Sequence, residues 1–162
     1  MPAIKLNYEQ TAALFRLIAA QHKEINSFVE VDLQQIKEVV KSSAQLPALL
    51  YSSFSESFSG SRADNNQSRK RIFFGVIDSS STKSKTNRSP HSIIDACRLL
   101  ALDVASYLRN EARNNRLPGF DSDSLADGDM IYMKDDNFFG WEFSVEISTP
   151  VNLSFNADKW EV

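Results

Sequence analysis

The residues able to do chemistry are few and scattered. Both histidines, His22 and His91, and the single cysteine, Cys97, fall in helical stretches. From His91 to Cys97 a helix turns by about 600°, which leaves the two side chains roughly 120° apart and unfit to act as a thiol–imidazole couple. Cys97 lies on an apolar helical stripe and reads as a buried structural thiol. His22 beside Glu24 reads as a solvated helix pair. The glycines, Gly60, Gly75, Gly119, Gly128 and Gly140, stand too far apart for a dinucleotide fingerprint, a phosphate-binding P-loop or a nucleophile elbow. No Cys/His cluster has zinc spacing, and a lone cysteine forms no internal disulfide. The chain therefore carries no recognisable catalytic or cofactor motif and reads as a binding or assembly protein, not an enzyme.

Two charged clusters remain. Acidic residues crowd the stretch from Asp121 to Asp129, with Asp123 and Asp127 between. Such carboxylates suit calcium, but the EF-hand template fails: Leu125 and Ala126 stand where an oxygen donor and a glycine belong, and Tyr132 replaces the terminal glutamate. Another calcium geometry and an exposed acidic loop both stay open. The basic residues are Arg69, Lys70 and Arg71, then Lys83, Lys85 and Arg88. Phosphate binding is conceivable there. A pI near 5.4 and the lack of aromatic residues among these cations argue against nucleic acid. Arg69 and Arg71 alternate with Lys70 at a strand start, as in a sheet edge guarded by charge.

Charge is unevenly spread. Residues 1–60 sum to −1, residues 61–119 to +6 and residues 120–162 to −8. If the last two segments lie apart in the fold, unlike faces would steer copies head to tail or dock a charged partner. If they are neighbours, they neutralise each other. The sums leave both open.

The elements that must position these residues are legible from periodicity. A helix is predicted from about Tyr8 to Ser27, with Asn7 and Gln10 as a capping box and a helical stripe through Leu14, Leu17, Ile18, Gln21, Ile25 and Phe28. An extended piece, Phe28 to Val31, precedes a short second helix capped by Asp32, with Leu33, Ile36, Val39 and Val40 on one side. Strands follow at Ala48–Phe58, with Leu50, Phe54 and Phe58 on one face, and at Lys70–Asp78. The latter is apolar on both faces and reads as a central strand. The polar stretch Ser79–Arg88 links it to a long helix capped by Ser89, with Pro90 at its first position and a stop by Asn114 or Asn115. Met130–Met133, Trp141–Ser148 and an extended piece from Val151 to Phe155 complete the pattern, with Pro150 as a break. The order α-α-β-β-α-β-β-β predicts an α+β domain spanning residues 1–162: a mainly antiparallel sheet packed by two longer helices and one short one.

The start, MPAIKLNYEQ, lacks the basic and apolar regions of a secretory signal, and no apolar run reaches the length of a membrane span. A cytosolic or particle-associated protein is expected.

The leading amphipathic helix, then LPALLYSSFSESFSG, KRIFFGVID, the capped helix SPHSIIDACRLLALDVASYLRNEA and the closing GWEFSVEIS together resemble the tail terminator, or tail-completion, proteins of tailed phages and related contractile particles. The resemblance covers about residues 8 to 156 and rests on element order and size. It implies a subunit that forms a ring, a hexamer, at the end of the tail tube. The ring stops tube growth and offers a docking face to the head. Its implied partners are copies of itself, the tube, and sheath or head-connector proteins, with no cofactor, membrane or sequence-specific nucleic acid. It implies assembly in the host or producer cytoplasm and residence in the particle tail. A tube, baseplate or connector subunit, a small enzyme and a regulatory binding domain are the alternatives.

Overall fold

A computed structural model describes residues 7–31, 45–62, 65–80, 88–125, 127–153 and 158; of Ser53 and Phe54 only the backbone is described. Helix α1, Tyr8–Gln21, begins with the capping box: Asn7 accepts the N–H of Gln10, and the Gln10 side chain accepts that of Asn7. It stops short of the predicted Ser27, because His22 leaves the helical conformation while its N–H still donates to Ile18 O. Strands β1, Ser27–Glu30, β2, Ala48–Ser59, and β3, Asn66–Ser79, follow. Helix α2, Pro90–Arg113, opens on Ser89, whose side chain accepts the N–H of Ser92. It closes at the predicted place: Asn115 takes the left-handed conformation (φ 56°), and Asn115 and Arg116 donate to Ala112 O and Glu111 O. Then come the short β4, Phe120–Asp121, β5, Gly128–Met133, and the long β6, Phe138–Val151.

These strands form a six-stranded sheet in the order β1-β2-β3-β6, with β4 and β5 both laid along the far side of β6. The class is α+β, as expected, and most pairings are antiparallel. The exception is β1, which pairs with β2 in parallel. Parallel neighbours cannot be joined by a tight turn. The stretch between them, where the short helix capped by Asp32 is predicted through Leu33, Ile36, Val39 and Val40, lies outside the described residues.

Both described α-helices cover one face. Leu49, Tyr51, Ile72, Phe74, Val76, Phe139, Phe143, Val145 and Ile147 project from the sheet into a core shared with Phe15 and Ile18 of α1 and Ile93, Cys97, Val104 and Leu108 of α2. The opposite face carries a second cluster that includes Val29, Leu50, Ile77 and Phe138. The two-sided burial of β3 matches its apolar run.

Three expectations are corrected. Pro150 does not break β6; it pairs opposite Gln67 near the strand end, where it is exposed. Leu50 and Phe58 do not share one buried stripe, because the β2–β3 register shifts between Ser52 and Ser55 and Phe58 is exposed; the Phe54 side chain lies outside the description. The last strand begins at Phe138, earlier than Trp141, because a turn ending on left-handed Asn137 (φ 57°) folds β6 directly back on β5. Of the expected piece from Val151 to Phe155, Val151 closes β6 and 154–157 lie outside the described residues.

Candidate interaction surface

Arg69, Lys70 and Arg71 lie toward the same end of the sheet as Asp121 and its loop, whereas Arg88 meets Asp78 toward the other end of β3. Arg69, Lys70 and Arg71 sit on β3, between β2 and β6, so they guard no edge. Their strand is paired on both sides even at its start, which sequence alternation alone does not reveal. Arg71 Nη2 lies 2.9 Å from Glu146 Oε1 on β6. Lys70 Nζ lies 3.8 Å from Glu56 Oε1 on β2, and the Ser68 hydroxyl donates to the same glutamate. Arg69 is exposed.

Beyond β6, Asp121 of β4 stands opposite Glu146. The Asp121 carboxylate accepts the N–H of Asp123 at 2.9 Å. Ser124 Oγ donates to Asp121 O at 2.6 Å and accepts the N–H of Glu146 at 2.7 Å. Asp127 O accepts the N–H of Ser144. Asp129 faces Glu142 across the β5–β6 pair, and its carboxylate accepts the N–H of Met130 at 2.8 Å. The acidic cluster thus pins its own loop to β6. Among the described residues no group of three or more His, Cys, Asp or Glu side chains is placed to hold a metal ion. Burial, and secondarily the nearby Asp129, holds the Glu142 carboxyl above the ordinary glutamate range.

The cationic and anionic segments therefore touch through Arg71 and Glu146, which is the neighbouring arrangement of the two that the charge sums left open. Arg88 is also engaged internally: its Nη1 lies 2.8 Å from Asp78 Oδ2, and the Asp78 carboxylate is only 4% exposed. Lys83 and Lys85 lie outside the described residues.

Sequence reasoning did not single out a polar group around this pair. Asp78 and Arg88 line a cavity of about 540 Å³ beside α2, with Cys97 in its wall. Burial, and then the nearby Asp78, pushes the Cys97 thiol up to about 12, while Arg88 pulls it down. The thiol stays protonated and donates weakly to Phe139 O, at 3.8 Å, as suits a structural cysteine. His91 is exposed. His22 does not form the expected pair with the Glu24 side chain. Its Nδ1 accepts the backbone N–H of Glu24 at 3.1 Å, and its Nε2 lies 3.5 Å from Asp103 Oδ2 on α2.

The other feature missed is apolar. Met130 and Tyr132 on β5 are 57% and 47% exposed, with Tyr132 edge-on to Phe139 at 5.0 Å. At the opposite end of the sheet, α1 packs over β1 and β2 and leaves Leu17 47% exposed. The signal was present: Met130 and Tyr132 interleave with Ile131 and Met133 in one short apolar strand, which is too apolar for an edge with solvent on one face.

No protein-family model matches the chain, and no curated protein is similar to it. Among the described residues no helix is long and apolar enough to cross a membrane.

Proposed function

We propose that this chain is a structural subunit of a tailed phage or related contractile particle, of the tail terminator or tail-completion kind. It acts without catalysis, as a ring of identical copies that caps the tail tube, ends its growth and presents a face to the head. The observation that carries this reading is the unlike pair of sheet ends. One end is β5, with Met130 and Tyr132 outward; the other is β1 with α1, where Leu17 projects.

A ring needs contacts between different surfaces of neighbouring copies, and an open sheet with two different, partly apolar ends supplies them. Leu17, Met130 and Tyr132 are each about half exposed, so covering one contributes roughly half of the 1.5–3 kcal/mol of full burial, and the three together outweigh an exposed ion pair, worth about 1 kcal/mol or less. The charge pattern plays a smaller part than the sequence suggested, because Arg71, Lys70 and Arg88 are already paired within the chain. The partners are further copies, the tube, and sheath or head-connector proteins; the place of action is the particle tail.

Incubating the purified chain with isolated tail tubes tests the reading by electron microscopy. Rings confined to tube ends are expected. Decoration of tube sides or baseplates would assign the chain to another particle component, and no decoration at all would refute the proposal.

A further inference from the structure

The helical layer of the subunit stops short of one sheet end. Helix α1 packs over β1 and β2, and α2 over β3 and β6; among the described residues no helix packs along β5. Met130 and Tyr132 of β5 stand opposite Trp141 and Phe139, which belong to the helix-covered core, so these two exposed side chains share that face. The flank of α2 turned toward them carries Arg98, Leu102, Ala105 and Arg109, spaced i, i+4, i+7 and i+11. Arg98 reaches over Trp141, with Cζ 5.9 Å from the ring centre. Leu102, Ala105, Arg109 and Arg113 share a cavity of about 310 Å³ with Leu125 of the β4–β5 connection. The result is a groove between α2 and β5, apolar at its base and cationic along its α2 rim.

Arg98, Arg109 and Arg113 are exposed, and none of them is in an ion pair among the described residues. The acids of β4 and β5 face the other way. Asp121 and Asp129 stand opposite Glu146 and Glu142, which alternate with the core-facing Val145 and Phe143. Asp127, Asp129 and Glu142 line the far face with Phe73. The matching surface is on α1. Ala13, Leu17 and Ala20, at i, i+4 and i+7, form an exposed stripe on the side away from buried Phe15 and Ile18. Glu9 stands in the first turn of this helix, and no basic residue stands in the last. Arg16 is turned aside, over the Phe28 ring at 5.3 Å and 4.0 Å from Glu30. Lys23, past the helix end, is offset by the adjacent Glu24. The stripe is thus apolar, with a free acid at one end and an uncompensated negative helix terminus at the other.

We infer that the groove receives α1 of the next copy, with Leu17 seated against Met130, Tyr132 and Leu102 and with Glu9 toward the α2 arginines. A helix laid into an apolar groove is a recurrent recognition mode, and the charged rim sets its orientation. Unlike surfaces that meet in this way make a heterologous contact, as ring closure needs. The inference rests on the ring reading and names the two surfaces that meet within it.

Native mass spectrometry of mixed variants tests it. Leu17→Glu blocks the stripe and keeps the groove; Met130→Asp with Tyr132→Ser blocks the groove and keeps the stripe. Each alone should give single chains, and an equimolar mixture should give a dimer of one of each. Arg98→Glu with Arg109→Glu should raise the subunit dissociation constant at least tenfold, about 1.4 kcal/mol. Adding Glu9→Arg should recover part of that loss. All the substituted residues are exposed, with circular dichroism as the check that each variant folds. A wild-type ring together with a mixture that stays as single chains overturns this inference and leaves the ring reading standing. Dimers of either variant alone, an arginine variant that assembles as the wild type does, or a Glu9 change that recovers nothing overturn it in the same way. A wild type that stays a single chain at every concentration overturns both.

Discussion

Arg71 on β3 and Glu146 on β6 stand directly opposite in the strand register, with Nη2 and Oε1 2.9 Å apart. This contact joins the basic middle of the chain to its acidic final third. Both side chains are partly exposed, so the pair is worth little: Arg71→Ala should cost under about 1 kcal/mol in urea unfolding. Exchanging the two, Arg71→Glu with Glu146→Arg, should recover most of that loss, whereas either reversal alone should cost more than the alanine variant.

That contact also marks where sequence reading stops. Helix α2 was legible to within a residue at both ends, because Ser89, Pro90 and the Asn114–Asn115 stop are local signals. The two-sided burial of β3 was legible from its apolar run. Pairing was not. Nothing local in Phe28–Val31 says that β1 joins β2 in parallel, and nothing in Arg69–Arg71 says that a neighbour lies on both sides. The acidic stretch showed its charge but not that Asp121 and Asp129 spend their carboxylates on backbone N–H groups. The cavity beside α2 was invisible because Glu24, Asp78 and Asp103 come from three separate elements or connectors.

Arg88, one of the basic residues singled out in the sequence, has an internal partner, and that partner sets what its reversal would do. Arg88→Glu leaves the buried Asp78 carboxylate facing a like charge. Breaking such a pair costs about 3 kcal/mol, well beyond a surface effect. The variant should therefore lose thermal stability outright. Retention of wild-type stability would show that the Asp78–Arg88 contact does not form in solution.

Glu142 gives a pH signature. Its carboxyl holds a proton more tightly in the folded chain than the ordinary glutamate value of 4.5, so folding is favoured at low pH and penalised as pH rises through the raised value. At pH 7 Glu142→Gln should be more stable than the wild type. The difference should shrink as pH falls, and vanish once Glu142 is protonated in both states. Denaturant unfolding at a series of pH values checks this; a glutamine variant less stable at pH 7 would contradict it.

Tyr51 is fully buried, packs on Phe15 at 5.0 Å between ring centres, and has a hydroxyl with no hydrogen-bond partner among the described residues. Burial, then Tyr8 and Glu30, raises its pKa above the ordinary tyrosine value. A buried hydroxyl left unpaired costs about 1–3 kcal/mol. Tyr51→Phe keeps the ring and removes that penalty, so it should raise the melting temperature by about 2–4 °C per kcal/mol gained. A fall in melting temperature would mean that the hydroxyl has a partner in solution.

The central claim is that copies join through the unlike ends of the sheet. Native mass spectrometry of the purified chain addresses it most directly, comparing the wild type with Leu17→Glu and with Met130→Asp combined with Tyr132→Ser. These sites are exposed, so each variant should keep the wild-type circular dichroism. The wild type should give a single closed oligomer, a hexamer on the resemblance to tail terminators, and each variant should fall to single chains. A wild type that stays a single chain at every concentration, or variants that assemble as it does, would contradict the account.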